Sequence, residues 1–245
     1  MNYADIHIHA LFGVDDGPDS EAGMRAVVDA AYRDGTRLLC LTPHFHPNWL
    51  GDNRAAAETA YRALRDYAAE VYPDLALYLG NELRYGKGSG GWLREGHCRT
   101  LGDSNAVLVD FQDREKGTLI SAGLERLLSG GYTPILAHAE RYHSLTMEMI
   151  REFRRDGVLI QVDAGALMKQ FGLRQWSRAC AILRERLADF VSSDAHDCRR
   201  RTPQLSRCYQ YTVKKFSEGY ARDLFWNNAA ALLQSDGLEK EEENG

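Results

Sequence analysis

Seven short apolar runs, each carrying a histidine or an acid at or near its end, set the strongest constraint on how this chain folds. They are 5–10 (DIHIHA), 37–44 (RLLCLTPH), 75–83 (LALYLGNEL), 105–111 (NAVLVDF), 133–140 (TPILAHAE), 158–166 (VLIQVDAGA) and 187–196 (LADFVSSDAH). Their length and their Leu, Val and Ile content suit buried strands. Stretches with helical periodicity lie between most of them, at 20–34, 54–72, 118–129, 146–156 and 172–185, with 204–218 and 220–234 after the last run. In 54–72, Tyr61, Leu64, Ala68 and Val71 share one face, a pattern of core packing. Strands alternating with helices imply a parallel sheet with crossover helices. Seven such units point to a closed or nearly closed (β/α) barrel rather than an open sheet. No composition break divides the 245 residues, so one α/β domain over 1–236 is expected, with 237–245 as an acidic, disordered tail.

Several function classes drop out early. A net charge of −5 gives no broad electrostatic case for nucleic acid. No apolar run approaches the roughly 20 residues that span a bilayer. The N-terminus shows no basic, apolar leader, and the cytoplasm is the expected location. The five cysteines (40, 98, 180, 198, 208) form no Cys-x-x-Cys pair and are odd in number, against a disulfide framework. Cys180 and Arg186 have the Cys-x5-Arg spacing of thiol phosphatases. The intervening AILRE reads as helix, without the glycine-rich phosphate loop that this chemistry needs. GKGSGG (86–91) matches a Gly-x-Gly-x-x-Gly spacing but does not follow the first strand; a flexible loop or hairpin near the site mouth is expected there.

The polar residues that end the runs carry the chemistry. In chain order they are His7, His9 and then Asp16; His44 and His46; Glu82; Asp110; His138, Glu140 and Arg141; Asp163; and Asp194 with His196. Any one of these alone reads as a loop-capping residue. In a parallel barrel, however, all seven strand ends open on one face. His-x-His at alternate strand positions turns both imidazoles the same way. Burying so many ionisable groups without counter-ions costs several kcal/mol each, and divalent cations remove that cost. With no cysteine among them, a structural zinc site is not expected; imidazole mixed with carboxylate suits manganese, iron or zinc. Nine candidate ligands (His7, His9, Asp16, His44, Glu82, Asp110, His138, Asp194, His196) exceed what one ion takes, so two or three ions sharing Glu82 are expected. Four ligand carboxylates against three divalent ions leave a positive site, suited to a phosphate dianion. Arg141 and Arg201 stand ready to fork onto its oxygens. The implied reaction is metal-assisted phosphoester hydrolysis, in which the ions lower the pKa of an attacking water. His46 is a candidate substrate contact or a support behind the metal ligands, and His97 and His143 read as surface residues.

DIHIHALFGVDDG, TPHFH, GNELRYG, ILAHAERY and SSDAHD followed by RTP resemble the motifs of the PHP (polymerase and histidinol phosphatase) superfamily. More narrowly, they resemble its protein-tyrosine phosphatases of capsule and exopolysaccharide operons, over residues 4 to about 203. The resemblance implies a distorted seven-stranded TIM-like barrel holding three metals, usually manganese. It implies His7, His9, Glu82 and Asp194 around the first, Glu82, His44 and His138 around the second, and Asp16, Asp110 and His196 around the third. It further implies phosphate binding by Arg141 and Arg201, and as substrate the phosphotyrosine tail of a bacterial tyrosine kinase that controls polysaccharide export. The family usually has Glu where this chain has Asp110. A PHP phosphatase of a small metabolite such as histidinol phosphate is the alternative, and an amidohydrolase, which also begins with His-x-His, would want a bridging lysine where Asp110 stands. The oligomeric state is not legible. If the metal reading is right, Cys180→Ser leaves turnover of an aryl phosphate unchanged; a dead Cys180→Ser enzyme would revive the thiol mechanism.

Overall fold

Every residue of β1 (Tyr3–Ile8) is buried, so this strand needs cover on both faces. In the computed structural model, which describes residues 1–234, parallel strands and outer helices supply it. The remaining strands are β2 (Thr36–Leu41), β3 (His44–Phe45), β4 (Ala76–Leu79), β5 (Glu82–Arg84), β6 (Ala106–Asp110), β7 (Thr133–Leu136), β8 (Leu159–Asp163) and β9 (Phe190–Ser192). They hydrogen-bond as β1-β2-β4 and as β3-β5-β6-β7-β8-β9, with parallel pairing throughout.

The two runs form one wall. The second predicted strand is broken at Thr42-Pro43 and the third at Gly80-Asn81, and Asn81 stitches the breaks. Its Nδ2 donates to the Pro43 carbonyl at 3.0 Å, and its Oδ1 accepts from the Arg99 N–H at 2.9 Å. Gly80 is required here because a Cβ would lie 2.6 Å from a Leu101 methyl. The last joint runs between the ends of β9 and β1. Asp194 N–H donates to the His7 carbonyl and His9 N–H to the Ala195 carbonyl, both at 2.9 Å. The expected seven-unit barrel therefore closes, with two strands kinked and one seam reduced to a single bridge.

The helices are α1 (Glu21–Asp34), α2 (Pro47–Leu50), α3 (Arg54–Val71), α4 (Ser89–Arg94), α5 (Gly117–Ser129), α6 (Met147–Arg155), α7 (Ala164–Leu167), α8 (Leu173–Arg184), α9 (Ser206–Lys215), α10 (Glu218–Arg222) and α11 (Asn228–Gln234). Sequence capping explains the ends of α1: Ser20 Oγ accepts from Gly23 N–H, and Gly35 takes φ 110°, which favours glycine. Leu64 and Ala68 of α3 are buried as expected, whereas Val71, in its last turn, is 43% exposed. The segment 86–91 is not a hairpin; the short helix α4 begins inside it. The sixth strand stops at Asp163, where the chain enters α7, and the seventh is cut to three residues. The two predicted C-terminal helices become three, with a wide turn at Asp223–Asn227 between α10 and α11. Helix α11 covers the entry ends of β6, β8 and β9, where Asn228 Nδ2 donates to the Asp189 carbonyl at 2.8 Å. The exit ends are thus left for the site. Among the described residues no helix is long and apolar enough to cross a membrane. The tail expected at 237–245 lies outside the described residues.

Helix α9 is started by a residue from elsewhere. Asp34, at the end of α1, accepts from the N–H groups of Leu205 (2.7 Å) and Ser206 (2.8 Å). Asp34→Ala is expected to cost about 1–2 kcal/mol, the value of a lost helix cap, and to lower the thermal midpoint by several degrees. An unchanged midpoint would show that α9 does not depend on this cap.

Candidate metal centre

The nine predicted ligands converge at the exit ends of the strands. Their donor atoms fall into three groups, each within 4.8 Å: His9, Asp16, His44 and His196; His7, His9 and Asp194; and Glu82, Asp110 and His138. This grouping by donor-atom proximity differs from the one implied by the resemblance. Asp110 joins Glu82 and His138 rather than Asp16 and His196, and His44 joins Asp16 instead. All are buried except Asp16, which is exposed, and His44, which is partly covered. Two of these candidate ligands reach the bowl through backbone strain. His138 (φ 35°) and Asp194 (φ 51°) sit in the left-handed region just beyond β7 and β9. Such a conformation costs about 1–3 kcal/mol for a non-glycine residue and persists only where the surroundings hold it. Here the His138 N–H is held by Gln161 Oε1 at 2.6 Å, and the Asp194 N–H by the His7 carbonyl.

The proton pattern tests whether these residues suit a cation. Gln161 Oε1 accepts from His138 N–H and lies 3.2 Å from His7 Nδ1, which therefore carries the proton. Asp15 Oδ2 lies 2.8 Å from His9 Nδ1, which is protonated for the same reason. In the neutral rings both Nε2 lone pairs then face inward, only 3.2 Å apart. Lone pair against lone pair is repulsive unless a proton or metal ion lies between. Glu82 Oε2 points the same way. It is buried without a hydrogen bond, although His44 Nδ1 is 2.7 Å and His9 Nε2 3.3 Å from it. Five imidazoles and four carboxylates held by outer partners are a donor set that fits divalent cations.

Electrostatics agree. Burial opposes the charged form of His7, yet Glu82 and Asp194 outweigh it and push its pKa up to about 9. Burial likewise opposes a charged His44, but Glu82 and Asp16 push it up to about 11. Burial works against ionised Glu82, and His44 and His7 hold it well below the usual carboxylate range. Asp110 goes the other way, raised chiefly by burial. The bowl thus demands positive charge, and without metal it takes protons.

The two predicted arginines meet at Asp194. Arg141 Nη2 donates to Asp194 Oδ2 at 2.5 Å and to Asp163 Oδ2 at 2.7 Å. Arg201 Nη2 donates to the same Asp194 oxygen, and its Nη1 lies 3.0 Å from His196 Nε2. Both line an open cavity with His143 and Phe171. His46 lies outside the three groups, at the start of α2 and edge-on to Trp49. Cys180 is buried in α8, with no phosphate loop around it.

Sequence reasoning missed the outer holders. Asp15 fixes His9 and also accepts from His44 N–H at 2.9 Å. Gln161 serves His7 and His138, and its Nε2 donates to Asp163 Oδ1 at 3.0 Å. Asp110 is gripped by Arg84 Nη2 and by the Tyr142 hydroxyl, each at 2.7 Å. The doublet Asp15-Asp16 was a usable signal for the first; nothing local marked Gln161.

Such a bowl on a parallel barrel suits a metal-dependent hydrolase, and the relatives make it a phosphatase. The chain belongs to the CpsB/CapC family of capsular polysaccharide synthesis, whose model matches residues 3–234. It is 30% identical over 236 residues to the tyrosine-protein phosphatase CpsB of Streptococcus pneumoniae, covering 94% of this chain and 97% of that protein. To the tyrosine-protein phosphatase YwqE of Bacillus subtilis it is 27% identical over 239 residues, covering 96% and 92%. In a crystallographic study of YwqE and CpsB, described there as unique metal-dependent tyrosine phosphatases, one structure superposes with a TM-score of 0.87. The two are 25% identical over 96% of this chain and 94% of that one. A dihydropyrimidinase from Brevibacillus agri shares the fold alone, with a TM-score of 0.55 at 11% identity over 94% of this chain and 70% of that one.

Because the carboxylates around His7 and His44 favour their protonated forms in the metal-free protein, and both must be neutral to ligate, manganese binding is expected to release protons. Calorimetry in buffers of different ionisation enthalpy should show release of more than one proton, and affinity rising from pH 6.5 to 9. Zero release would contradict the ligand assignment. Their raised pKa values stabilise the metal-free fold fully below about pH 6.5, a contribution lost for His7 as pH climbs through about 9.

Proposed function

We propose that the protein removes phosphate from phosphotyrosine on a protein substrate, with three divalent ions, manganese first among the candidates, held by the nine converging ligands. The observation that carries this is the meeting of both arginines on Asp194, one oxygen of which faces the arginines while the other faces His7 and His9. His7, His9 and Asp194 would hold one ion, Glu82, Asp110 and His138 a second, and Asp16, His44 and His196 a third, with Glu82 and His9 close enough to be shared. When bound, the ions supply a water of lowered pKa and neutralise the phosphate oxygens.

The chain's own groups do the rest. Arg141 and Arg201, each partly open to solvent, present guanidinium N–H groups to the phosphate. Asp163 holds Arg141 from behind, so its fork is oriented before substrate arrives. Trp49, 57% exposed and edge-on to His44, offers a face for an aryl ring at the rim. Family resemblance supports the tail of a bacterial tyrosine kinase as the physiological substrate. Five free thiols support a cytoplasmic site of action.

Purified protein loaded with manganese should hydrolyse a phosphotyrosyl peptide in preference to histidinol phosphate. EDTA should abolish the activity and manganese restore it. Asp194→Ala should remove activity and lower metal content, and Arg201→Ala should reduce kcat/KM roughly 100-fold with metal content kept. Preference for histidinol phosphate would replace this reading with a small-metabolite phosphatase.

A further inference from the structure

A groove of about 690 Å³ opens on the exit side of the barrel, next to the bowl. Its inner end is made by Tyr85 and Phe111, the residues that immediately follow β5 and β6. These strands deliver Glu82 and Asp110, so the groove begins one residue from a ligand. The two rings pack 5.0 Å apart against α5 at Gly123, where a Cβ would come within 2.8 Å of Phe111 and 2.9 Å of Tyr85. The aromatic floor therefore depends on that glycine.

The walls are basic. Lys87 from the loop before α4, Arg94 from α4 and Arg126 from α5 all line the groove and are exposed. Among the described residues none of the three is in an ion pair, whereas Arg84, Arg99, Arg141 and Arg154 all are. Among the described residues Glu115 is the one acid on the walls. A net positive groove on a chain of net charge −5 reverses the overall sign locally. Leu119, 53% exposed, adds an apolar patch among these cations.

The loop between β6 and α5 divides this groove from the cavity of Arg141 and Arg201. Asp113 and Arg114 line the cavity, while Phe111 and Glu115 line the groove. A peptide with its phosphate on the two arginines needs to cross only this short loop to enter.

We propose that the groove is the subsite for the polypeptide flanking the phosphotyrosine, and that it selects flanks rich in Asp and Glu with an apolar residue among them. This rests on the phosphotyrosine phosphatase reading and adds to it a source of substrate choice outside the bowl. Exposed charge pairs are individually weak. Three acting together give a preference of roughly 10-fold at low salt, which screening removes.

The test compares manganese-loaded wild type with the Arg94→Glu, Arg126→Glu double variant, both substitutions being at exposed positions. Substrates are phosphotyrosyl peptides with acidic or lysine-rich flanks, and p-nitrophenyl phosphate, which has no flank. Wild type should favour acidic flanks by roughly 10-fold in kcat/KM at low salt, less at 0.5 M salt. In the double variant the ratio of acidic peptide to p-nitrophenyl phosphate should fall by about that factor and the flank preference reverse. A wild type indifferent to flank charge, or a preference that survives in the variant, would overturn the groove assignment while leaving the phosphatase reading intact. No turnover of any of the three substrates would overturn the phosphatase reading itself.

Discussion

Asp194 faces two ways, and the functional end of the barrel is arranged around that fact. One oxygen lies 3.4 Å from His7 Nε2 and 3.5 Å from His9 Nε2; the other takes both arginine forks. Four cationic or cation-seeking neighbours hold this buried carboxylate ionised, against the burial that would neutralise it. The backbone turns left-handed at Asp194, just beyond β9. That strain is repaid where the N–H of the same residue bonds to His7, so one residue ties a strand end, a candidate metal group and the two arginines together.

How much of this was legible follows from where each interaction lives. The candidate ligands could be picked out because each sits at or near a strand exit, and a repeating βα unit sends every exit to the same face. His-x-His, Asp-x-His and the acid doublet are dense local signals. The grouping of ligands was not legible, since it depends on the barrel's cross-section. Asp110 meets Glu82 and His138 because β5 and β6 are adjacent and β7 is next to them. Gln161 could not be found for a related reason. An amide in the middle of β8 looks like any buried polar residue until the fold sets it between His7 and His138. The strand breaks are not legible because Pro43 and Gly80 lie inside otherwise continuous apolar runs. α4 escaped because a glycine-rich stretch has little helical propensity of its own.

Asp110 shows how an apparent departure is absorbed. An aspartate reaches less far than the glutamate that the resemblance leads one to expect at this place. Tyr142 and Arg84 take hold of its two oxygens, at 2.7 Å each, and the Tyr142 hydroxyl also accepts from Phe111 N–H at 3.0 Å. The tyrosine therefore ties the carboxylate to the first residue of the loop that parts the arginine cavity from the basic groove. Geometry at the second ligand group and the shape of that loop are mechanically linked.

The barrel's seam has a consequence of its own. Every other junction of the wall is a ladder of strand bonds, but between β9 and β1 a single bridge and two flanking hydrogen bonds close the ring. His7, His9 and Asp194 stand on either lip of that slit, contributed by opposite ends of the sequence. A cation gripped by all three would act as a clasp across the thinnest part of the cylinder, making the hoop continuous. Such a protein would ring shut when loaded and breathe along one line when stripped, so the same atoms that ready it for chemistry would also set its stiffness.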